Sequence, residues 1–268
     1  MQNFELYQPT SLAEVSALLA EDDGAKLLAG GQTLVPTMKQ GLAMPSALIS
    51  LQRLPELQNI GMTDDGAIEI GAMTCHADVA GNALVAEHLP GLATLAAGIG
   101  DRHVRNRGTL GGSIANCDPS ADYPAALLAL GAMVITDQRE IAADAFFLGL
   151  FTTALEETEI VTGIRIPTGA RFAYAKFSNP ASRYAIVGVG VAKSDETVRV
   201  AVTGAGSDGV FRWEAAEEIL KASFLPDAIN SIMPDAELLN SEIHATAEYR
   251  AALIRAMTKR AVATILSD

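Results

Sequence analysis

Cysteine is nearly absent from this sequence. Only Cys75 and Cys117 occur among 268 residues. Two thiols cannot supply the four ligands of an iron–sulfur cluster. No CxxC pair is present, and His76, His88, His103 and His244 lack zinc-ligand spacing. Free thiols in a reducing compartment are the default, and nothing supports a Cys75–Cys117 disulfide. Aromatic residues make up only 5% of the chain, with one tryptophan, while glycine reaches 23. Packing therefore rests on small aliphatic side chains and many turns. Basic residues are also short: 19 lysines and arginines face 32 acidic residues, for a formal charge of −13. That balance excludes nucleic acid as the main partner, since phosphate binding needs positive charge. It leaves room for a local basic patch. No run is long and apolar enough to span a bilayer, and the start has no signal-peptide pattern. The expectation is a cytoplasmic protein, either free or held at the inner membrane face through a complex. Hydrolytic triads are missing too: Cys75 and His76 are adjacent, and neighbours on an element point apart.

One stretch stands out, Arg105 to Pro124: RNRGTLGGSIANCDPSADYP. Gly108, Gly111 and Gly112 permit close backbone approach. Thr109, Ser113 and Asn116 offer small polar side chains. Asp118 and Pro119 read as the N-cap and first turn of a helix that carries Tyr123, Leu127 and Leu130 and stops at Gly131. Glycine-rich backbone beside helix amides can hold a phosphate or pyrophosphate. A tight turn packed on a sheet fits the same residues.

In chain order, residues 1–10 read as a strand into a loop. Ser11 and Glu14 form a capping box for a helix with Leu12, Val15, Leu18 and Leu19 on one face. Lys26 to Ala29 is a short strand that runs into Gly30-Gly31-Gln32-Thr33, then a helix from Leu34 to about Gln40, then a strand from Ala47 to Leu51. A Rossmann unit fits this order badly, because no GxGxxG follows the first strand. Taken alone, Gly30-Gly31 could be a plain connecting turn. Leu57 to Gly71 reads as a hairpin around Asp65-Gly66. Thr74–Gly81 and His88–Gly98 carry helical patterns, and Phe146-Phe147 reads as core. Strands are expected at Ala132–Thr136 and Glu159–Pro167. Pro167-Thr168-Gly169 is the best boundary. Beyond it, Arg171–Phe177, Tyr184–Ala192 and Val198–Thr203 read as a small antiparallel sheet. Helices Glu214–Leu220 and Glu242–Leu266 lie on one side of it. Arg250, Arg255, Lys259 and Arg260 are expected on the solvated or partner-facing side of the last helix.

The two glycine segments together carry a resemblance. LAGGQTLVPTMKQGL, residues 28–42, resembles the first flavin-binding loop of the FAD-binding, or medium, subunits of molybdenum hydroxylases. RNRGTLGGSIANCDPSADYP resembles their second. Glu159 to Pro167, EIVTGIRIP, resembles another family stretch, and the likeness covers nearly the whole chain. Members include the flavoprotein parts of aerobic carbon monoxide dehydrogenase and xanthine dehydrogenase.

The resemblance implies an α+β fold. A two-lobed FAD-binding domain of the p-cresol methylhydroxylase type would span residues 1–168, with lobes of about 1–55 and 56–168. A small C-terminal domain with an antiparallel sheet and helices would span 169–268. It implies FAD contacts from Leu28, Ala29, Gly30, Gly31, Gln32, Thr33 and Leu34 around the pyrophosphate and ribose. Thr109, Gly112 and Ser113 would approach the phosphates from the other lobe, with Asn116 and Asp118 on the same loop. Asp122 would serve the adenosine side, Ile160 the rings, and Lys176 the flavin. Composition alone also allows Asp122 as a helix brace, Ile160 as core and Lys176 as an exposed lysine. Molybdopterin and [2Fe–2S] clusters are expected only in partner subunits, a large molybdenum-cofactor chain and a small iron–sulfur chain, assembled as a dimer of heterotrimers. NAD, oxygen or a quinone would be the external acceptor. Two other readings stay open: a self-contained FAD oxidoreductase with its own organic substrate, and a non-catalytic FAD-binding assembly module.

Overall fold

The structure is a computed structural model that describes residues 2–267. The first unit begins with strand β1 (Glu5–Tyr7), helix α1 (Leu12–Glu21), β2 (Lys26–Leu28), α2 (Leu34–Lys39) and β3 (Ala47–Ser50). Ser11 Oγ accepts from the Glu14 N–H at 3.3 Å, and Glu14 reaches back to the Thr10 N–H at 2.7 Å. The capping box is thus present, offset by one residue on its return bond. The three strands pair in parallel in the order β1-β3-β2. Val15 and Leu19 of α1 join Ile49, Leu54, Leu57 and Ile160 in a small core.

A second sheet follows, built from β4 (Ile60–Met62), β5 (Ile68–Gly71), β6 (Met133–Thr136), β7 (Glu140–Ala142) and, after the short hairpin β8 (Phe147–Gly149) and β9 (Thr152–Thr153), β10 (Val161–Ile166). Its order is β4-β5-β10-β6-β7, antiparallel throughout. Between β5 and β6 the chain forms α3 (His76–Gly81), α4 (Ala83–His88), α5 (Pro90–Ala97), α6 (Arg102–Arg105), α7 (Leu110–Asn116) and α8 (Tyr123–Leu130). A four-residue helix, α9 (Ala143–Phe146), leads into the hairpin and buries Phe146.

Helix α8, YPAALLAL, is apolar on every face, and all eight of its residues are buried. A helix of this kind needs partners all round. One is the second sheet's core, with Ile70, Val134 and Ile164. The other is the last sheet, β11 (Arg171–Ser178), β12 (Ala185–Lys193), β13 (Val198–Thr203) and β14 (Phe211–Arg212), antiparallel in sequence order. In β12 the period of two sorts side chains by size. Val187, Val189 and Val191 face a core shared with α10 (Glu214–Ala222) and α11 (Ala247–Ser267). Gly188, Gly190 and Ala192 turn the other way, and a Cβ on Gly190 would sit 3.1 Å from the Ala125 carbonyl of α8. The expected helices do cover one face of this sheet, and α5 and α8 cover the other.

Two expectations for the last helix change. It begins at Ala247, and Glu242 to Ala245 forms a tight bridge instead. Arg250 is not on a solvated face: it is 4% exposed and donates to the carbonyls of Ile186 and Gly204 while pairing with Glu242. A guanidinium reaches the interior when its donors find acceptors there. Arg255 and Lys259 bond across to the Asp227–Asn230 turn, and Tyr249 stays half exposed while Leu253 and Met257 are buried.

Candidate functional site

A cleft of about 580 Å³ opens between the first unit, the second sheet's helices and the turn before β12. That is within the roughly 300–1,000 Å³ typical of small-molecule sites. Leu28 through Leu34, Thr109, Gly112, Ser113, Asn116, Asp118, Asp122 and Ile160 all line it. Lys176 does not line it; its side chain sits one layer behind.

The first wall is the segment after β2. A Cβ on Gly30 would fall 2.0 Å from the Arg107 carbonyl oxygen and 2.8 Å from the Gly108 Cα. Only glycine lets the two glycine segments touch back to back. Gly31 then takes φ +70°, the left-handed region. Among the described residues, the backbone N–H groups of Gly30, Gly31, Gln32, Thr33 and Leu34 find no protein acceptor. Five successive unsatisfied donors beside a cleft form a concave nest for an anion. The cradle fits a pyrophosphate.

The second wall differs from its expectation. Residues 110–116 are helix α7, N-capped by Thr109, whose Oγ1 accepts from the Gly112 N–H at 3.1 Å. Its first amides are already used: Leu110 donates to Thr74, Gly111 to Ala72 and Ser113 to Thr109. This wall offers the hydroxyls of Thr109 and Ser113, the carboxamide of Asn116 and the Thr109 N–H, which has no acceptor among the described residues. The glycines here serve protein contacts: a Cβ on Gly111 would meet the Ala72 backbone at 2.7 Å. Asp118 does not cap a helix. It closes a short turn on the Ser120 N–H at 2.8 Å, and α8 starts four residues later behind Asp122. Pro124, not Pro119, occupies the first turn.

Charge in the site is tightly held. Burial pushes the Asp118 carboxyl up, partly offset by the Ser120 N–H. Asp122 is 6% exposed. Burial pushes its carboxyl up, and Lys176 Nζ at 2.9 Å and the Tyr174 hydroxyl hold it back. Lys176 is therefore neither an exposed lysine nor a cleft-lining one. At the Ile160 end, the buried carboxylate of Glu159 takes a bidentate pair from Arg139 at 2.9 and 2.8 Å. Those bonds lower it to about 2. His76 also lines the cleft, and burial together with the nearby Arg105 charge lowers it to about 4. It is neutral at physiological pH.

Residues 2–169 match the family model described as the FAD binding domain in molybdopterin dehydrogenase. Residues 172–265 match the CO dehydrogenase flavoprotein C-terminal domain. The chain belongs to the flavoprotein family of the molybdopterin dehydrogenases. The carbon monoxide dehydrogenase medium chain of Hydrogenophaga pseudoflava is 36% identical, over 97% of this chain and 96% of that one. The nicotine 6-hydroxylase medium subunit of Paenarthrobacter nicotinovorans is 34% identical over 95% and 94%. Among solved structures, carbon monoxide dehydrogenase from Hydrogenophaga pseudoflava, in a form lacking the Mo-pyranopterin moiety of its molybdenum cofactor, superposes with a TM-score of 0.88. It is 35% identical and covers 99% of this chain and 98% of its own. Quinoline 2-oxidoreductase from Pseudomonas putida 86 also superposes at 0.88, with 28% identity and coverage of 99% and 98%. The α+β architecture, a FAD-binding domain with a C-terminal antiparallel sheet and helices, is the family's. The flavoprotein chain is a FAD subunit of a multi-subunit oxidoreductase. Among the described residues, no helix is long and apolar enough to cross a membrane.

Part of the cleft was not picked out from the sequence. Ile99 and Gly100 line it, as do Ser182, Arg183 and Tyr184. Gly100 takes φ +50° and Arg183 φ +64°. A glycine directly before Asp101, the N-cap of α6, was the available signal for the first turn. The second turn has no such mark, because Arg183 is a non-glycine residue in a conformation glycine favours.

Proposed function

We propose that this chain is the FAD-carrying electron-transfer subunit of a molybdenum-containing hydroxylase or dehydrogenase. The observation that carries the reading is the nest of five backbone N–H groups from Gly30 to Leu34. It faces a cleft that the second glycine segment closes from behind. FAD, when bound, supplies the two-electron and one-electron chemistry; the chain positions it. Leu28 to Leu34 hold the pyrophosphate and ribose by backbone amides. Thr109 and Ser113 donate hydroxyl bonds from the opposite wall, and Gly112 keeps that wall flat. Asn116 and Asp118 meet the polar part of the cofactor, Asp122 braces the adenosine side, and Ile160 packs on a ring. Lys176 acts at one remove, through Asp122. Residues 1–168 form the cofactor-binding part, in lobes of about 1–55 and 56–168, and 169–268 the C-terminal part.

Electrons arrive from the [2Fe–2S] clusters of a small partner subunit, fed by a large molybdenum-cofactor subunit, in a dimer of heterotrimers. They leave to an external acceptor: NAD, oxygen or a quinone. Hydroxylation belongs to the large subunit, and no residue in the cleft is arranged as a general base for it. Medium chains of carbon monoxide dehydrogenase and nicotine 6-hydroxylase among the relatives support this division of labour.

The test is anaerobic stopped-flow mixing of the FAD-loaded chain with the organic substrate, with and without the purified partner subunits. Loss of the visible flavin band is expected only when both partners are present. Rapid bleaching by substrate with this chain alone would replace the reading with that of a self-contained oxidoreductase.

A further inference from the structure

The loop between α7 and α8 carries two cleft-lining carboxylates, Asp118 and Asp122, and the cleft-lining Ala121. Within it, the Ser120 N–H donates to the Asp118 carboxylate at 2.8 Å, and the Ala121 N–H donates to the Asp118 carbonyl at 3.0 Å. Those bonds shape a turn without fixing where the turn sits. Its anchorage comes from elsewhere. Among the described residues, and apart from helix α8 itself, every hydrogen bond between residues 119–122 and another element comes from the last sheet. Two of these are the Tyr174 and Lys176 side chains of β11 on Asp122. The others come from the end of β13.

There the Gly204 N–H donates to the Pro119 carbonyl at 2.8 Å. Thr203 Oγ1 lies 2.7 Å from the Ala121 carbonyl oxygen and 3.0 Å from that of Pro119. A hydroxyl has one proton to donate. Gly204 already serves Pro119, so the Thr203 proton goes to Ala121, the nearer oxygen. Thr203 is fully buried. It shares a strand face with Ala201, which packs into the core around α8. A hydroxyl on such a face costs stability unless it is bonded, and a valine would serve packing alone. Gly204 is equally constrained. It takes φ +82°, and a Cβ there would sit 2.5 Å from the Ala185 carbonyl oxygen. The buried Arg250 holds the Gly204 carbonyl at 2.7 Å. A continuous set of bonds thus runs from helix α11 through the end of β13 to the cleft loop.

We infer that Thr203 is a positioning residue for the cofactor cleft. By holding the Ala121 carbonyl, with Gly204 on Pro119, it fixes the turn that sets Asp118 and Asp122 in the cleft wall. Thr203 does not itself line the cleft. It acts through the loop, and by it the C-terminal part governs cofactor affinity from behind the wall. Groups that meet a ligand are only as well placed as the bonds that support them. The inference rests on the FAD reading above.

The experiment titrates the apo form of the full chain with FAD, for wild type, Thr203→Val, Thr203→Ser and Val262→Ala. Thr203→Val keeps the shape and removes the hydroxyl. The loop then leaves its place part of the time, and affinity falls by the fraction still in place. A loss on the order of tenfold is expected, as a loop in place about one time in ten would give. Thr203→Ser keeps the hydroxyl and should bind FAD like the wild type. Val262→Ala thins the core on the far side of the sheet. It should lower the melting temperature and leave FAD affinity unchanged, which separates positioning from general stability. Hydrogen–deuterium exchange at residues 120–122 of the FAD-free chain should rise in Thr203→Val and return to the wild-type level in Thr203→Ser. A Thr203→Val chain with wild-type affinity or wild-type exchange overturns the inference, as does a Val262→Ala chain that loses as much affinity. If Thr203→Val does not fold, Thr203→Ala compared with Thr203→Ser decides by the same measures. A wild-type chain that takes up no FAD would remove the FAD reading, and this inference with it.

Discussion

Replacing Gly30 by alanine tests how the cleft is built. The added Cβ would lie 2.0 Å from the Arg107 carbonyl oxygen, 2.7 Å from its carbon and 2.8 Å from the Gly108 Cα. All three are backbone atoms, so no side-chain rotation relieves the clash. Ordinary contact begins near 3.4 Å, so the two walls must part by more than an ångström, and the Gly30–Leu34 amides move with them. Overpacking of this kind costs about 1–3 kcal/mol. Charged to cofactor binding, that is about a 5- to 150-fold loss of affinity. Gly112→Ala is the internal control. Its Cβ would meet the Thr109 hydroxyl at 2.8 Å and the Ala29 Cβ at 3.4 Å. The hydroxyl can rotate away at the cost of a helix cap, about 1 kcal/mol. Gly112→Val extends further and should fall between the two. Titration of apo-protein with FAD, followed by quenching of flavin fluorescence, gives the affinities, and far-UV circular dichroism checks the fold. The expected order of loss is Gly30→Ala, then Gly112→Val, then Gly112→Ala. Wild-type affinity in Gly30→Ala would refute the back-to-back arrangement of the two segments.

Three further outcomes are expected. Glu159 falls from its ordinary 4.5 to about 2 through the Arg139 bonds. Its stabilising share is complete above pH 4.5 and is lost as pH falls toward 2. The ceiling is about 3 kcal/mol, and screening of the half-exposed Arg139 brings it to about 1 kcal/mol. Urea midpoints of wild type and Arg139→Met should differ at pH 6 and converge near pH 2, and a constant gap would count against the pair. Lys176→Met strands the buried Asp122 and should destabilise by about 3–5 kcal/mol. Adding Asp122→Leu should recover most of that, and a single variant melting like wild type would show the pair to be inert. The flavin should be non-covalent, because Cys117 is buried on the Gly149 carbonyl and the His76 ring packs against Tyr123. Acid precipitation should release all the yellow colour, and a coloured pellet would contradict this.

The sequence showed what local rules control. Ser11 caps α1, Gly131 ends α8, and the alternation of Val187, Val189 and Val191 gave a strand, because caps and periods of two or 3.6 are written in neighbouring residues. The fourteen cleft-lining positions came from elsewhere: the resemblance of the two glycine segments and of Glu159–Pro167 to a known family named them, not caps or periods. What failed depended on partners distant in sequence. Asp118 and Asp122 are both good caps on paper, and only tertiary packing chose where α8 begins. Lys176 and Arg250 look like surface residues until their partners, Asp122 and the Ile186 and Gly204 carbonyls, come into view. Of the glycines of the second segment, Gly108 packs on the His76 ring and Gly111 on the Ala72 backbone, while Gly112 lines the cleft beside the Thr109 hydroxyl. Composition cannot distinguish a glycine that admits a ligand from one that admits another strand of the protein.

Helix α8 bears on how such chains can be recombined. Its two broad faces serve different sheets, and Asp122 at its start is bound by two side chains of β11. The matched segments 2–169 and 172–265 look like exchangeable modules on a line. They share a seam in which the small residues of β12 fit one particular helix. A chimera joined near residue 170 would set a foreign sheet against α8, where any side chain in place of Gly190 would press on the Ala125 carbonyl and any loss of the lysine at 176 would strand Asp122. Grafting a new C-terminal half onto this cofactor site requires carrying α8 and β11–β12 across together, so the usable crossover lies upstream of Asp122.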